Sequence, residues 1–232
     1  FRGLGLVDRV KLAARKLSVA PQMLFRMPWL LAHLSDGGLM DFVNVVDERG
    51  QPMPYADIAT QLAASAVTWD DLRWIKEAWG EELPLIVKGV HCAEDARRAE
   101  ALGATGVIWS NHGGRQQDRV PPTLHTVAQE MPRVGDTQLD FMMDGGVRNG
   151  TDVLIALTYG LKAVGIGRVT AAGIGAGGPD GLRRAFQILS SDLDRAMRLV
   201  GVQSTAELRE RGAELRRDSL MAGDGHLPPF VF

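Results

Sequence analysis

The sequence has one cysteine, Cys92, in 232 residues. No disulfide framework and no cysteine-based metal site can be built within the chain. Neither charge is in excess, since 26 Lys and Arg face 28 Asp and Glu. A nucleic-acid protein carries a clear basic surplus, so that class is set aside. Long hydrophobic runs are missing too. The most apolar patch, MLFRMPWLLAHL, is broken by Arg26 and Pro28 and is too short to span a bilayer. The opening stretch is mixed and basic and does not read as a secretory leader. Phe1 is not a natural start residue, so a processed or cut chain is expected. A single cysteine fits a reducing, cytoplasmic setting.

What is present is regular from residue 68 onward. With 45% hydrophobic residues the chain can bury one sizeable core. Thr68 and Asp71 resemble a capping box, and Leu72, Ile75 and Trp79 fall on one face of a helix that Gly80 stops. PLIVK (84–88), GVIWS (106–110), LDFMMD (139–144) and AVGIG (163–167) read as buried strands. Between them lie AEDARRAEALG, a helix around 124–131, and GTDVLIALTYG with Val153, Ala156 and Leu157 inward. A long helix is expected over about 181–200. Apolar strands alternating with amphipathic helices mean parallel βα units.

The polar residues decide which α/β architecture to expect. Lys88, the 110–115 group, the 144–148 group and Gly167 with Arg168 all follow strands. A (β/α)8 barrel builds its site from such successive carboxyl ends, whereas an open sheet uses one switch point. A TIM (β/α)8 barrel is therefore expected. Only four units are visible, and a full barrel takes roughly 250 residues. The reading is thus an irregular loop or lid over residues 1–67, with at most the extended stretch DFVNVV. The C-terminal half of a barrel then spans 68–232, and the remaining strands lie outside this chain.

Two strand ends share a pattern. DGGVRNG offers Gly146 and Arg148 before a helix, and GIGR offers Gly165, Gly167 and Arg168 after a strand. Bare amides at helix starts with two guanidinium groups make a phosphate cradle. One such turn alone would be unremarkable, but two in succession point to a ligand. Lys88 either snorkels or turns its charge into the barrel mouth. In SNHGGRQ, His112 follows a strand, and Gly113 and Gly114 allow a tight turn that returns Arg115 to the same mouth. A proton acceptor beside a bidentate carboxylate binder suits proton abstraction from a substrate carrying a carboxylate.

LPLIVKGV, SNHGGRQ, DGGVRNGTDVLIAL and VGIGR together resemble the FMN-dependent 2-hydroxy-acid oxidase and dehydrogenase family, which includes glycolate oxidase, lactate oxidase and mandelate dehydrogenase. The resemblance covers about residues 68 to 210, and SNHGGRQ is its most specific part. It implies FMN as cofactor and oxidation of an L-2-hydroxy acid to the 2-oxo acid. It implies Lys88 beside the reduced flavin, Ser110 as a flavin-ring contact, His112 as base and Arg115 on the substrate carboxylate. Asp144, Gly146, Arg148, Gly167 and Arg168 would hold the ribityl chain and phosphate. A homo-oligomer, tetrameric by resemblance, is implied as well.

The departures are specific. The family also uses two tyrosines, an aspartate paired with the histidine, and a second arginine, all from the first half of the barrel. Residues 1–67 show no match to them, and Tyr55 and Tyr159 stand in other contexts. Gln117 stands where leucine is usual. GRVTAAGIGAGG is poor in large residues, which hints at room for an aromatic, mandelate-like substrate. The electron acceptor is open among oxygen, a quinone and a cytochrome. Two other readings stand beside this one: another phosphate-binding barrel flavoenzyme, such as an isomerase or an IMP-dehydrogenase-like enzyme, and a non-catalytic half-barrel. Arg2, Arg9, Lys11, Arg15, Lys16 and Arg26 face only Asp8 before residue 34. Beside Met23, Leu24, Phe25, Trp29 and Leu30 they would suit either a lid or a peripheral contact with the inner membrane face through residues 1–34.

Overall fold

A computed structural model describes residues 18, 21, 25–36, 42–53, 57–58, 67–80 and 82–216. Most of the basic residues at the front, Met23, Leu24 and Tyr55 lie outside the described residues. The chain divides into two compact units, Phe1–Thr68 and Trp69–Phe232.

In the first unit, helix α1 (Met27–Ser35) starts with Pro28 in its first turn, where a missing N–H costs nothing. It has no buried residue. A short antiparallel pair, β1 (Phe42–Val46) and β2 (Pro52–Met53), closes through a turn in which the Asp47 carboxylate accepts from the amides of Arg49 and Gln51.

The second unit is built from βα repeats. Helix α2 (Trp69–Trp79) leads to strand β3 (Ile86–Val90) and helix α3 (Ala93–Ala101). Strand β4 (Gly106–Trp109), a single 3₁₀ turn at His112–Gly114 and helix α4 (Thr123–Glu130) follow. Then come β5 (Asp140–Asp144), α5 (Gly150–Thr158), β6 (Ala163–Gly165) and the long α6 (Arg168–Leu199). Short helices α7 (Thr205–Glu210) and α8 (Gly212–Leu215) finish it. The four strands β3 to β6 are parallel and pair in chain order, without the reversal that a doubly wound sheet requires. That is the wall of a barrel.

One face of this wall carries the core. Val107, Trp109, Phe141 and Met143 are buried against Ala93, Ala96 and Ala99 of α3 and Val127 of α4. The indole of Trp109 stacks on Phe141 with ring centres 6.0 Å apart. The alanine stripe lets α3 come close to the sheet. Strand bounds differ from the sequence reading by a residue or two, most at β3, which begins at Ile86 rather than Pro84.

Two expectations are corrected. Trp79 does not point inward. It is 54% exposed, and its indole N–H donates to the Pro84 carbonyl. Lys76 takes the inward place at 7% exposure, its stem against Gly103 and its ammonium on the carbonyls of Gly80 and Leu83. Helix α6 also begins thirteen residues earlier than the expected 181, at Arg168, and is broken at Gly177 and Gly178 before Pro179. The two pieces cross tightly. A Cβ on Gly181 would fall 2.0 Å from the Gly173 carbonyl oxygen, so only glycine fits.

Candidate active site

The carboxyl ends of β3 to β6 open into one cleft of about 940 Å³. Lys88, His112, Arg115, Asp144, Gly146, Arg148, Gly167 and Arg168 all line it. Each of these was expected there from sequence. Ser110 is the expected residue that does not line the cleft. It is 1% exposed, and its hydroxyl donates to Asp144 Oδ1.

Ser110 is nevertheless a hub. Its Oγ accepts from Lys88 Nζ at 3.1 Å and from the amide of His112 at 3.1 Å. Lys88 Nζ also lies 3.0 Å from Asp144 Oδ2. Three strand ends are thereby tied by one lysine, one hydroxyl and one carboxylate. With side chains 43% and 24% exposed, the Lys88–Asp144 pair adds little to stability. Its effect is to fix where the ammonium stands.

His112 has φ of +52°, a left-handed backbone uncommon for a residue with a side chain. Its ring lies over Gly89, where a Cβ would come within 3.0 Å of His112 Cε1. Gly89 itself has φ of +95° and marks the irregularity where β3 slips against β4. A bulge glycine in one strand thus makes the seat for an imidazole from the next. Gly89 and Asn111, which caps the turn at His112–Gly114, were not singled out from sequence. An Asn before His-Gly-Gly is a recognisable turn signal, whereas Gly89 inside a strand gives only a hint of a bulge.

The anion cradle is narrower than expected. At the start of α5 the amides of Arg148 and Asn149 donate to Asp152, that of Gly150 to Asp192, and that of Asp152 to Asn149. Those donors are consumed by capping. Helix α6 instead starts at Gly167 with no side-chain cap. Space is open around the absent Cβ of both Gly146 and Gly167, and the Arg168 guanidinium reaches toward Gly113. A free helix start beside an arginine has the chemistry that suits an anion. Four cationic side chains line the cleft against one carboxylate, and that carboxylate is held by Lys88. The cleft therefore favours anions.

Cys92 is outside this cleft. Burial pushes its thiol up from the ordinary value. Among the described residues no cluster of His, Cys, Asp and Glu could hold a metal ion, and no helix is long and apolar enough to cross a membrane.

A family model described as FMN-dependent dehydrogenase matches residues 6–214. A 2-hydroxyacid oxidase of Dictyostelium discoideum is 42% identical over 151 residues, which is 65% of this chain and 38% of that protein. The flavin-binding domain of baker's yeast flavocytochrome b2 superposes with a TM-score of 0.63 at 34% identity, covering 76% of this chain and 47% of that one. A mandelate oxidase with benzoyl-formic acid superposes with a TM-score of 0.58 at 36% identity, covering 62% and 42%. The chain thus spans less than half the length of these relatives. Its four βα units are the C-terminal half of a TIM (β/α)8 barrel, and the chain belongs to the FMN-dependent dehydrogenase family.

Proposed function

We propose that the protein containing this chain oxidises a 2-hydroxy acid to the 2-oxo acid with FMN. One observation carries the reading: His112 and Arg115 line the same cleft as Lys88 and the uncapped start of α6 with Arg168. The residues present fit the cofactor. Gly146 and Gly167 leave open space beside Arg148 and Arg168 for a phosphate, and Lys88 offers a fixed ammonium to an electron-rich ring. Asp144 lines the cleft, tied to Lys88 and Ser110, and would hold the ribityl chain. Bound there, FMN would supply the two-electron acceptor.

The chain's own residues do the rest. Arg115 is exposed in the cleft and would take the substrate carboxylate bidentately, which fixes the α-carbon. His112 would accept one proton as the substrate's C–H and O–H bonds give way to C=O, and the electron pair with the other proton would leave to the cofactor. Ser110 contributes without lining the cleft, by holding the amide of His112 and the ammonium of Lys88. Ala171 and Ala172 line the cleft with little bulk, and a mandelate oxidase is among the similar structures. An aromatic side chain on the substrate is the version this supports.

The remaining barrel strands and the second substrate-binding groups would come from residues outside this chain, in a homo-oligomer. Residues 1–67 would form the loop after the fourth strand of that barrel. For residues 1–34 a lid packed on the barrel and a membrane-surface contact would both use the apolar side chains that α1 leaves exposed. Phe25 is 89% exposed, and Trp29, Leu31 and Leu34 of α1 are each more than half exposed. Co-sedimentation with anionic liposomes tests the membrane contact, and a protein that stays in the supernatant removes it.

The test of the activity is a panel of hydroxy acids added without oxygen to the full-length protein carrying FMN. Loss of the flavin's visible absorbance with glycolate, lactate or mandelate supports the reading and ranks the substrates. A protein that stays colourless after FMN is added would instead be a non-catalytic half-barrel.

A further inference from the structure

We propose that Asn111 is the positioning residue of His112, holding the imidazole in the cleft through the backbone rather than by touching it. The proposal rests on His112 being the base. A residue with a side chain at φ of +52° stores strain on the order of 1 kcal/mol or more, so its turn must be held from outside. Released, His112 would relax to negative φ and swing its ring off Gly89.

The restraint runs through one amide group. Asn111 Oδ1 accepts from the amide of Gly113 at 2.9 Å, which closes the turn just after His112. Asn111 Nδ2 donates to the Pro121 carbonyl at 3.3 Å, and the Asn111 backbone amide donates to Thr123 Oγ1 at 3.3 Å. Thr123 is 2% exposed, so this anchor is set in the core at the start of α4. The fourth side is Gly145, with φ of +88°. A Cβ there would come within 2.5 Å of Asn111 Oδ1 and 2.8 Å of Thr123 Oγ1. The turn after β5 thus passes close beside the amide and has room there for glycine only. Asn111 does not line the cleft, so its influence on chemistry passes through His112.

The experiment uses the FMN-loaded full-length protein. Asn111→Ala should lower kcat by about 10- to 100-fold, while KM and FMN affinity change by less than about threefold, since a small misplacement of a reacting group costs rate more than binding. Asn111→Asp keeps the acceptor for Gly113 and should recover most of that loss. In flavin-free Asn111→Ala protein, diethylpyrocarbonate should modify His112 several-fold faster, read by peptide mass spectrometry. Should Asn111→Ala not fold, Thr123→Val and Asn111→Asp carry the same comparison.

Wild-type kcat in Asn111→Ala overturns the proposal. So does a loss of kcat, FMN affinity and melting temperature together that Asn111→Asp fails to relieve, because that pattern is general damage. His112→Ala separates the two levels. If it keeps full turnover, the base assignment itself is wrong. If it is inactive while Asn111→Ala is fully active, only the positioning role fails.

Discussion

A base and an anion anchor in one cleft should fail in different ways when removed. His112→Ala takes away a proton acceptor but leaves the α6 start and Arg168 intact. Its kcat should fall about 10²- to 10⁴-fold with FMN still bound, the usual scale for a general base. Arg168→Ala should do the reverse, weakening FMN binding about tenfold or more, the scale of a lost charge-assisted hydrogen bond. Fluorescence titration of FMN against both variants checks the pair, and unchanged affinity in Arg168→Ala removes the phosphate assignment. At this scale the sequence showed chemistry better than support. His112, Arg115 and the paired Gly-Arg turns stand out because charged groups seldom follow buried strands. Gly89 stayed hidden because its importance is an approach between segments, 3.0 Å from ring to absent Cβ, whereas the turn signal of Asn111 was there to read and only its bonds to Pro121 and Thr123 were not. The exchange of Trp79 for Lys76 was hidden for a similar reason. A lysine stem that finds two carbonyls beyond its own helix can be buried, and period alone does not reveal them.

Among the elements, α5 has the most explicit stop and start. Asn149 and Asp152 form a reciprocal capping box, and Asp152 takes the Arg148 amide as well. Asn149→Ala should cost about 1 kcal/mol and lower the melting temperature by about 2–4 °C, as for a lost N-cap in a domain of this size. Calorimetry checks it, and a shift within error would mean that packing alone sets this helix start. At the other end, Arg211 lies between Glu207 and Glu214. Glu207 is held below its ordinary value first by the Gln203 amide and then by Arg211, and Glu214 by Arg211 alone. Lowered carboxylate values mean stability that is present above the unfolded value and lost as pH falls through the folded one. Amide protection in α7 and α8, corrected for the intrinsic exchange rate at each pH, should therefore fall once pH drops below the ordinary glutamate value of 4.5 and stay level above it. The elements were legible where pattern and propensity agreed, as in the four strands and in α2, α3 and α5. The first piece of α6 was not. Its small, glycine-rich residues carry weak helix propensity, and they cross the second piece closely at Gly173 and Gly181, a tertiary contact that the local pattern does not show.

At the scale of the whole molecule, the decisive feature is a parallel sheet that, among the described residues of its own unit, has helices packed on one face. Parallel sheets are normally buried on both faces. Here the pairing sets Lys88, Ile108, Met142 and Ala163 in one row on the face away from the helices. Ile86, on the same face of β3, is 47% exposed. The outer edges of β3 and β6 have no strand partner among the described residues. Open edges and a bare apolar face drive association. Further strands would bury this face at about 25 cal/mol per Å² and complete the wall around the cleft. The 232-residue chain by itself should therefore bind an apolar fluorescent dye strongly. It should hold FMN at least about tenfold more weakly than protein with the whole barrel, because only the phosphate end and Lys88 remain to grip it. Dye fluorescence and FMN titration on the two lengths decide the matter. Equal FMN affinity with no dye binding would mean that this face is already covered within the chain, and that the site needs nothing from the missing strands.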